Sequence, residues 1–280
     1  MPFSSKMPVM SPKEFKLLRN IIHEKTGIYY EPGKMDILTD KIMPLVINHE
    51  MDAFIDYYYL LKHDSYFTDE WDHVFDAISV QETYFGREYD QIETLVKVIV
   101  PKLAIEAMHH PIRIWSAACA SGEEPLTIAI SLEESGWFER IPIEIFASDL
   151  SPKAISTAQT GVYGSRSFRR WSQALIDKYF IKKDQTYQVN PSIHEHIQWQ
   201  NANIHNKNDV FQMAGTHIIF CRNVFIYFSE YAIKKTARLL YDCLTGPGYL
   251  FTGVSESLLK FTEDFDMQEI DNSFVYVKQK

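Results

Sequence analysis

The stretch IRIWSAACASGEEPLTIAISLEE, residues 112–134, decides the fold class of this chain. It begins with a short apolar run, residues 112–116, that has the length of a buried strand. A turn of small residues ending in Gly122 follows, and a segment of helical length runs from Pro125 to about Glu134. A strand that turns at once into a helix is the unit from which parallel α/β sheets are built.

The same unit recurs along the rest of the chain. Residues 144–149 form a second apolar strand that ends in Asp149, and Ser151-Pro152 caps a helix that ends at Gly161. Further strands are predicted over residues 216–221, 249–253 and 273–277. This alternation predicts an α/β fold with a parallel, doubly wound sheet.

Residues before about position 95 follow a helical pattern without strand-like alternation. Ser11-Pro12-Lys13-Glu14 is a capping box with proline at the first helical position, and Gly27 ends that helix. Three more helices are expected, over residues 34–47, over 53–61 with Asp52 as the cap, and over 69–78. The two patterns divide the chain into an N-terminal helical domain, residues 1–95, and an α/β domain, residues 96–280.

The composition narrows the class of protein. The formal net charge of -9 argues against broad nucleic-acid binding, which needs a basic face to displace counterions. Three cysteines without a CxxC pair indicate neither a disulfide framework nor a metal site, and they favour a cytoplasmic location. No apolar run is long enough to cross a bilayer, and the first residues lack the pattern of a secretion signal. We expect a monomer without direct membrane insertion.

Carboxylates follow two of the predicted strands, at the edge where open α/β sheets bind ligands. Glu123 and Glu124 begin one helix, where they repel a phosphate and suit a cationic or hydroxyl-rich ligand, and Gly122 allows the backbone to approach it. Asp149 is placed to accept hydrogen bonds from both hydroxyls of a ribose. Each acid also has a structural explanation, as the partner of a helix dipole or as the cap of the helix at Ser151. Together they favour a nucleoside without phosphates, a description that fits S-adenosylmethionine.

Four segments, residues 114–132, 146–163, 218–228 and 248–258, carry a resemblance to a known family. With the helical segment 15–28, they resemble the chemotaxis receptor methyltransferases, the CheR type, in family order. The resemblance implies a Rossmann-like methyltransferase domain with a mostly parallel, doubly wound sheet. It also implies a small antiparallel β insertion at about residues 179–200 and an all-α N-terminal domain. The implied reaction transfers a methyl group from S-adenosylmethionine to a chemoreceptor glutamate and leaves S-adenosylhomocysteine.

The resemblance implies roles for particular residues. Family members carry the pattern Asn-x-Thr-x-Phe-Phe-Arg-Glu; residues 81–88 match it, with Gln81 for the asparagine and Gly86 for an aromatic residue. The residues implied to bind the cofactor are Gln81, Thr83, Arg87, Glu124, Asp149, Asn203, Ile204, Arg222 and Asn223. Among these, Glu124 would meet the methionine end, Asp149 the ribose and Asn203 the adenine. Arg87, Arg222 and Tyr227 are implied to act at the transfer site, and no metal is implied.

Three functions remain open for these residues. A protein-glutamate O-methyltransferase needs no general base, because a glutamate is already ionised at neutral pH; Arg87 and Arg222 would then position the carboxylate. A non-catalytic S-adenosylmethionine-binding signalling module is supported only by the departures at Gln81 and Gly86, and the presence of the other site residues favours the enzyme. Transfer to RNA or a small molecule is the third function. Two of these residues also have a structural explanation. Tyr227 would be a core aromatic residue, and Arg87 would be a surface residue paired with an acid.

The small β insertion lacks a loop that some family members use to recognise their receptor. Some family members use it to add a short C-terminal receptor peptide as an extra strand, and they carry a longer, glycine-bearing loop there. Residues 180–189 contain no glycine. We therefore predict that chemoreceptor cytoplasmic helices are recognised without a C-terminal tether, through the basic cluster of Arg166, Arg169 and Arg170.

Overall fold

The computed structural model describes residues 7–63, 69–106 and 110–279. The helices, in chain order, are α1 (Pro12–Thr26), α2 (Met35–Asn48), α3 (Phe54–Lys62), α4 (Glu70–Ile78), α5 (Tyr89–Thr94), α6 (Val100–Glu106), α7 (Glu123–Glu134), α8 (Pro152–Thr160), α9 (Gln173–Tyr179), α10 (Pro191–His194), α11 (Lys207–Phe211) and α12 (Glu230–Cys243). The strands are β1 (Ile112–Ala117), β2 (Ile143–Asp149), β3 (Val162–Gly164), β4 (Phe180–Lys183), β5 (Thr186–Val189), β6 (Ile197–Asn201), β7 (Thr216–Cys221), β8 (Leu244–Phe251), β9 (Asp266–Ile270) and β10 (Ser273–Lys278). Within these residues, every helix is too short or too polar to span a membrane.

The first helices form where their caps indicate. Ser11 Oγ accepts the Glu14 amide at 3.3 Å, and the Ser11 amide donates to the Glu14 carboxylate at 2.8 Å, so the predicted capping box is confirmed. Glu14 also accepts the amide of Ile55 at 3.0 Å, in the first turn of α3. The predicted Asp52 cap is wrong, because α3 begins at Phe54 and an acid from α1 serves its first turn. The buried side chains of α1 to α4 meet in one core that includes Leu18, Ile22, Leu38, Ile42, Phe54, Tyr57 and Val74.

The main sheet has seven strands in the order β6-β2-β1-β7-β8-β10-β9. The first five pair in parallel, and β10 is antiparallel to both of its neighbours. The predicted α/β fold with a mostly parallel, doubly wound sheet is therefore confirmed. The sequence pattern did not indicate β9, because this edge strand has no buried residues and no apolar alternation.

A second, three-stranded antiparallel sheet has the order β3-β5-β4. The small insertion is thus present, but its strands differ from those expected within 179–200. Its first strand, Val162–Gly164, follows α8 directly, and Ile197–Asn201 belongs to the main sheet, where it pairs with β2. The range expected for the insertion therefore combines strands of two different sheets. Alternation shows which faces a strand presents, and it leaves the partner strand open.

The helical part continues into the α/β part through one helical run. α5 passes through a π-helical segment, Leu95–Ile99, into α6. The domain boundary expected between residues 95 and 96 falls inside this run. Buried residues of the run, such as Ile92, Leu95 and Ile99, pack in the same core as β1 and β2.

Two contacts place the helical domain over the carboxyl ends of the strands. Past the end of α1, the Tyr29 amide donates to the Tyr227 carbonyl at 2.8 Å, in the segment after β7. In α4, Asp76 accepts the hydroxyl of Ser151 and the amide of Lys153, after β2. These contacts enclose a space between the helices and the sheet edge.

Candidate cofactor pocket

A large pocket lies at this sheet edge, between the strands and the helical domain. Its wall is built from the segments that follow β1, β2, β6 and β7, together with residues 79–84 and Arg87. All ten residues that the family resemblance assigns to the site line this pocket: Gln81, Thr83, Arg87, Glu124, Asp149, Asn203, Ile204, Arg222, Asn223 and Tyr227. The fold therefore brings together residues that are far apart in the sequence.

Asp149 is buried at the end of β2 and is held by backbone groups. Its Oδ2 accepts the amide of Ala120 and its Oδ1 the amide of Ser151, both at 2.9 Å. Burial raises the pKa of this carboxyl, and the amide hydrogen bonds oppose the rise. The cap of α8 is the Ser151 hydroxyl, which accepts the Ala154 amide at 3.1 Å, so α8 does not need Asp149 as its cap. Each carboxylate oxygen keeps a lone pair for a ligand hydroxyl.

The turn between β1 and α7 serves packing as well as the pocket. Gly122 has φ +95°, and a Cβ there would stand 2.9 Å from a ring carbon of Trp199. The close approach of β6 therefore requires glycine here, and the role of Gly122 toward a ligand stays a prediction. Glu123 lies outside the pocket lining, and its carboxylate accepts the Ser167 hydroxyl at 2.9 Å. Of the acidic pair, Glu124 is the residue that lines the pocket.

Glu124 connects this turn with the opposite end of the pocket. Its Oε1 accepts the Ser116 hydroxyl at 2.6 Å, and its Oε2 lies 3.4 Å from Arg222 Nη1. Burial raises the pKa of Glu124, whereas the guanidinium of Arg222 lowers it. In its ionised form Glu124 presents a negative charge to a cationic ligand.

Arg222 is almost completely buried, with 2% of its side chain exposed. Its Nη2 donates to the Arg87 carbonyl at 2.5 Å and lies 3.3 Å from Glu88 Oε2. Its Nε is buried and has no hydrogen-bond partner among the described residues. A buried donor without a partner costs about 1–3 kcal/mol, so a ligand that brings an acceptor suits this position.

The loop after β7 has a strained backbone that an acid holds in place. Asn223 has φ 58°, in the left-handed region. Glu256 Oε2 accepts the amides of Asn223 and Gly253, both at 2.7 Å, and its Oε1 accepts the Ile226 amide at 3.2 Å. Sequence reasoning assigned no role to Glu256, although it lies in one of the segments that carry the family resemblance.

The segment 81–88 borders the pocket between the two domains. Gln81 Nε2 donates to Ser151 Oγ at 3.2 Å, which ties the segment to the start of α8. Arg87 is partly exposed, and its Nη1 donates to the Glu82 carbonyl at 2.5 Å. The alternative for Arg87, a surface pair with an acidic side chain, is not what the structure contains: Arg87 lines the pocket.

An aromatic cluster behind the pocket leaves no room for a side chain at Gly86. It has φ +74°, and a Cβ there would stand 2.8 Å from a ring carbon of Trp171. The neighbouring Phe85 is fully buried, with ring centroids 4.8 Å from Phe168 and 5.0 Å from Phe180. Trp171 therefore takes up the room that an aromatic side chain at position 86 would need.

The predicted basic cluster divides into two parts. Arg169 is engaged within the chain, because its Nη2 lies 2.5 Å from Glu82 Oε1 and its guanidinium carbon lies 3.8 Å from the ring centroid of Tyr84. Arg166 and Arg170 are exposed. Arg169 thus supports the border of the pocket, and two arginines remain as a surface charge.

Asn203 lies in the pocket wall with its side chain already bonded. Its Nδ2 donates to the Lys25 carbonyl at 2.7 Å, and its Oδ1 accepts the His205 amide at 2.9 Å. One amide hydrogen and one lone pair remain for a ligand. Asn203 therefore joins the end of α1 to the segment after β6.

The mouth of the pocket is marked by lining residues that are also exposed. Val80 is 50% exposed and Tyr227 is 36% exposed. The alternative of Tyr227 as a core aromatic residue is therefore wrong. Thr26 and Ile28 of the helical domain also line the pocket, and sequence reasoning missed them. The pattern of an amphipathic helix shows which face is apolar, and it does not show which end meets a second domain.

The chain is similar in sequence to a known family of methyltransferases. Residues 81–274 match the family described as CheR methyltransferase, SAM binding domain, and residues 13–79 match CheR methyltransferase, all-alpha domain. A chemotaxis protein methyltransferase 2 of Vibrio cholerae is 31% identical over 273 residues, which cover 96% of this chain and 94% of that protein. A chemotaxis protein methyltransferase of Listeria innocua is 28% identical over 266 residues, which cover 95% of this chain and 97% of that protein.

Proposed function

Because the chain belongs to the CheR methyltransferase family, we propose that it methylates glutamate side chains on the cytoplasmic regions of chemoreceptors. At the level of the family, the protein is a chemotaxis methyltransferase whose cofactor is S-adenosylmethionine. The proposal adds the acceptor, a glutamate carboxylate, and the product, a methyl ester.

The residues of the pocket fit S-adenosylmethionine, which carries a sulfonium, an ammonium, a carboxylate and two ribose hydroxyls. We assign the buried Asp149 carboxylate to the ribose hydroxyls and the Glu124 carboxylate to the ammonium. The unpartnered Nε of Arg222 suits the carboxylate of the methionine part. The other assigned residues border the methionine part or the adenine: Gln81, Thr83, Arg87, Asn203, Ile204 and Asn223.

One observation carries the choice of a carboxylate acceptor. The described residues that line the pocket include acids and arginines, and neither a histidine nor a lysine. A glutamate side chain has a pKa of about 4.3 and is ionised at neutral pH, so no residue has to remove its proton. When bound, the cofactor supplies a methyl group on a sulfonium, and the group that leaves is a neutral thioether. The two arginines of the lining, Arg87 and Arg222, suit an acceptor that arrives as an anion.

The chain's own task is to align the acceptor and to keep competing groups inactive. The acceptor carboxylate would enter at the mouth beside Tyr227 and meet Arg87 and Arg222. Holding it in line is worth roughly 7–11 kcal/mol of barrier in well-oriented systems. Cys119 also lines the pocket, but burial raises the pKa of its thiol well above the usual range, so it stays protonated and weakly nucleophilic.

A transfer assay tests the proposal. Purified protein, S-adenosylmethionine with a labelled methyl group and cytoplasmic receptor fragments should give labelled fragments, and mild alkali should release the label because methyl esters hydrolyse there. Fragments whose acceptor glutamates are replaced by alanine are the control and should stay unlabelled. Label that survives alkali would mean a nitrogen or another oxygen as acceptor. Cofactor binding without any transfer would favour a signalling module of the same fold.

A further inference from the structure

One acid near the transfer end of the pocket has no place in the assignments above. Glu88 is absent from the pocket lining, yet it contacts two residues that line it, Arg222 and Asn223. We propose that Glu88 is a positioning residue that neutralises Arg222, so that the acceptor carboxylate is oriented without being captured. This inference rests on the proposed function, because it concerns how a carboxylate acceptor is handled.

The geometry of Glu88 is specific. It has φ 48° and ψ 52°, a left-handed conformation that is uncommon for a residue with a long side chain. Its Oε2 accepts the Val254 amide at 3.2 Å and lies 3.3 Å from Arg222 Nη2. Its Oε1 accepts from Asn223 Nδ2 at 3.4 Å. One carboxylate thus joins the loops that follow β7 and β8 to the start of α5.

The charge of Arg222 matters because water cannot screen it. The side chain is 2% exposed, and charges in such an environment interact strongly. A free guanidinium would form a bidentate pair with an incoming carboxylate. That pair would bind the acceptor tightly in the ground state. It would then weaken during the transfer, because the carboxylate becomes a neutral ester as the methyl group is bonded to it. Tighter binding of the ground state lowers KM and lowers kcat with it.

Glu124 alone does not provide this neutralisation. Its carboxylate lies 3.4 Å from Arg222, but it also lines the pocket, where the ammonium of the cofactor would pair with the same carboxylate. Glu88 lies behind the pocket and is free of that competition. The two acids therefore divide the work: Glu124 serves the cofactor and Glu88 serves the guanidinium.

The substitution Glu88→Gln tests this division, because it keeps the shape and the amide contact and removes the charge. We expect KM for the receptor fragment and kcat to fall together, each by roughly fivefold to tenfold, which corresponds to about 1.0–1.4 kcal/mol of tighter ground-state binding. The dissociation constant for S-adenosylmethionine should fall as well, because Arg222 is also assigned to the carboxylate of the methionine part. A rise in KM for the fragment would overturn the proposal.

Glu256→Gln is the matched control. Glu256 holds the same loop through backbone amides and is not among the ion-pair partners of Arg222. A purely structural defect in the loop should lower kcat and raise KM, so identical kinetics for the two variants would reduce Glu88 to a structural residue and contradict the proposal. In the Glu88→Gln background, Arg222→Lys should cancel the gain in affinity, because lysine cannot form the bidentate pair. A gain that persists would place the effect elsewhere.

A binding measurement separates this inference from the proposed function. Glutarate carries the acceptor group on a small molecule, and calorimetry with the S-adenosylhomocysteine complex reports its affinity without turnover. Glutarate should bind the Glu88→Gln variant more tightly than the wild type, whatever the result with receptor fragments. Equal or weaker binding would reject the role of Glu88. Failure of the wild type to methylate any fragment would instead reject the proposed acceptor.

Discussion

The two ends of the pocket hold their acids in different ways. At one end, Asp149 accepts two backbone amides, those of Ala120 and Ser151. At the other end, the guanidinium of Arg222 lies between the carboxylates of Glu88 and Glu124. Backbone amides are set by the sheet and the helix starts, so the Asp149 end is rigid once the sheet has formed. The Arg222 end depends on a balance of side-chain charges.

This difference separates two kinds of consequence. A change at the Asp149 end removes ligand contacts and leaves few charges unbalanced. A change at the Arg222 end leaves buried charges without partners, which costs far more than the contact itself. We therefore expect substitutions at the first end to act on cofactor affinity and those at the second to act on stability and acceptor handling.

The largest effect should follow Arg222→Met. It leaves Glu88 and Glu124 near one another without the cation, and breaking a buried pair in this way costs about 3–5 kcal/mol of unfolding free energy. Urea unfolding followed by circular dichroism measures the loss. Arg169→Met is the control, because its pair with Glu82 is partly exposed and should contribute less than about 1 kcal/mol. Similar losses for the two variants would show that the Arg222 end is no more charge-dependent than the surface.

The next effect concerns Asp149→Ala. On the proposed assignment, two charge-assisted hydrogen bonds to the ribose are lost, and the amides of Ala120 and Ser151 lose their acceptor. Cofactor affinity should fall roughly 100-fold, about 3 kcal/mol. Titration calorimetry with S-adenosylhomocysteine measures this, and Asp149→Asn, which keeps one acceptor oxygen, should lose less. Unchanged affinity would contradict the assignment of this end to the ribose.

The contrast between the ends also explains what the sequence could predict. Glu124 and Asp149 follow predicted strands at the start of a helix or just before one, so a local pattern was enough to place both at the same sheet edge. Glu88 and Glu256 reach the Arg222 end from segments that meet only in the folded chain. No local sequence pattern predicts contacts between such distant segments. The family resemblance included both segments, but it did not indicate the contacts of Glu88 and Glu256.

The incorrect predictions about the fold also arose from contacts between residues far apart in the sequence. Residues 197–200 were expected in the small insertion, but they belong to β6 of the main sheet, because pairing is decided by the rest of the sheet. Gly122 was correctly expected in a turn, but the sequence did not indicate that Trp199 leaves no room for a side chain there. In both cases a long-range neighbour, which the local sequence does not contain, decided the outcome.

A smaller effect is expected from pH. Burial raises the pKa of Asp149 and of Glu124. We have assigned both acids to the cofactor in their ionised forms. Affinity should therefore fall as pH decreases, starting above the usual carboxyl range of about 3.9–4.3. The stability of the free protein should follow the opposite sign. A raised carboxyl pKa means that the folded state binds protons more readily, so this contribution is present at low pH and is lost as pH rises through the folded pKa.

Calorimetry with S-adenosylhomocysteine at several pH values between about 5 and 8 checks the pH effect on affinity, in the window above the ordinary carboxyl pKa. Asp149→Asn should show a flatter pH dependence, because one of the two titrating groups is gone. An affinity that increases on acidification would mean that the protonated acids bind the ligand. The contrast between a backbone-held and a charge-held end would then need revision.

The smallest effect concerns how the acceptor reaches the Arg222 end. In the small sheet, β4 and β5 are joined by Asp184 and Gln185 alone, so the loop that some family members use for a receptor tether is short here. Exposed lysines at 182 and 183 also make β4 a poor edge for an added strand. The acceptor should therefore be recognised near the mouth of the pocket.

Receptor fragments with and without their last few residues should be methylated at rates within about twofold of each other, a difference of only about 0.4 kcal/mol. The paired substitution Arg166→Glu and Arg170→Glu provides the contrast, because both arginines are exposed and their charges would meet an acidic receptor helix. It should raise KM for the full fragment and weaken the dependence of KM on salt, since exposed charges act over about 10 Å at 0.1 M salt. A large loss of rate on truncating the fragment, with no effect of the arginine substitutions, would place recognition on the small sheet instead of at the mouth. The acceptor would then be delivered by a tether, and the charge balance at the Arg222 end would act only after delivery.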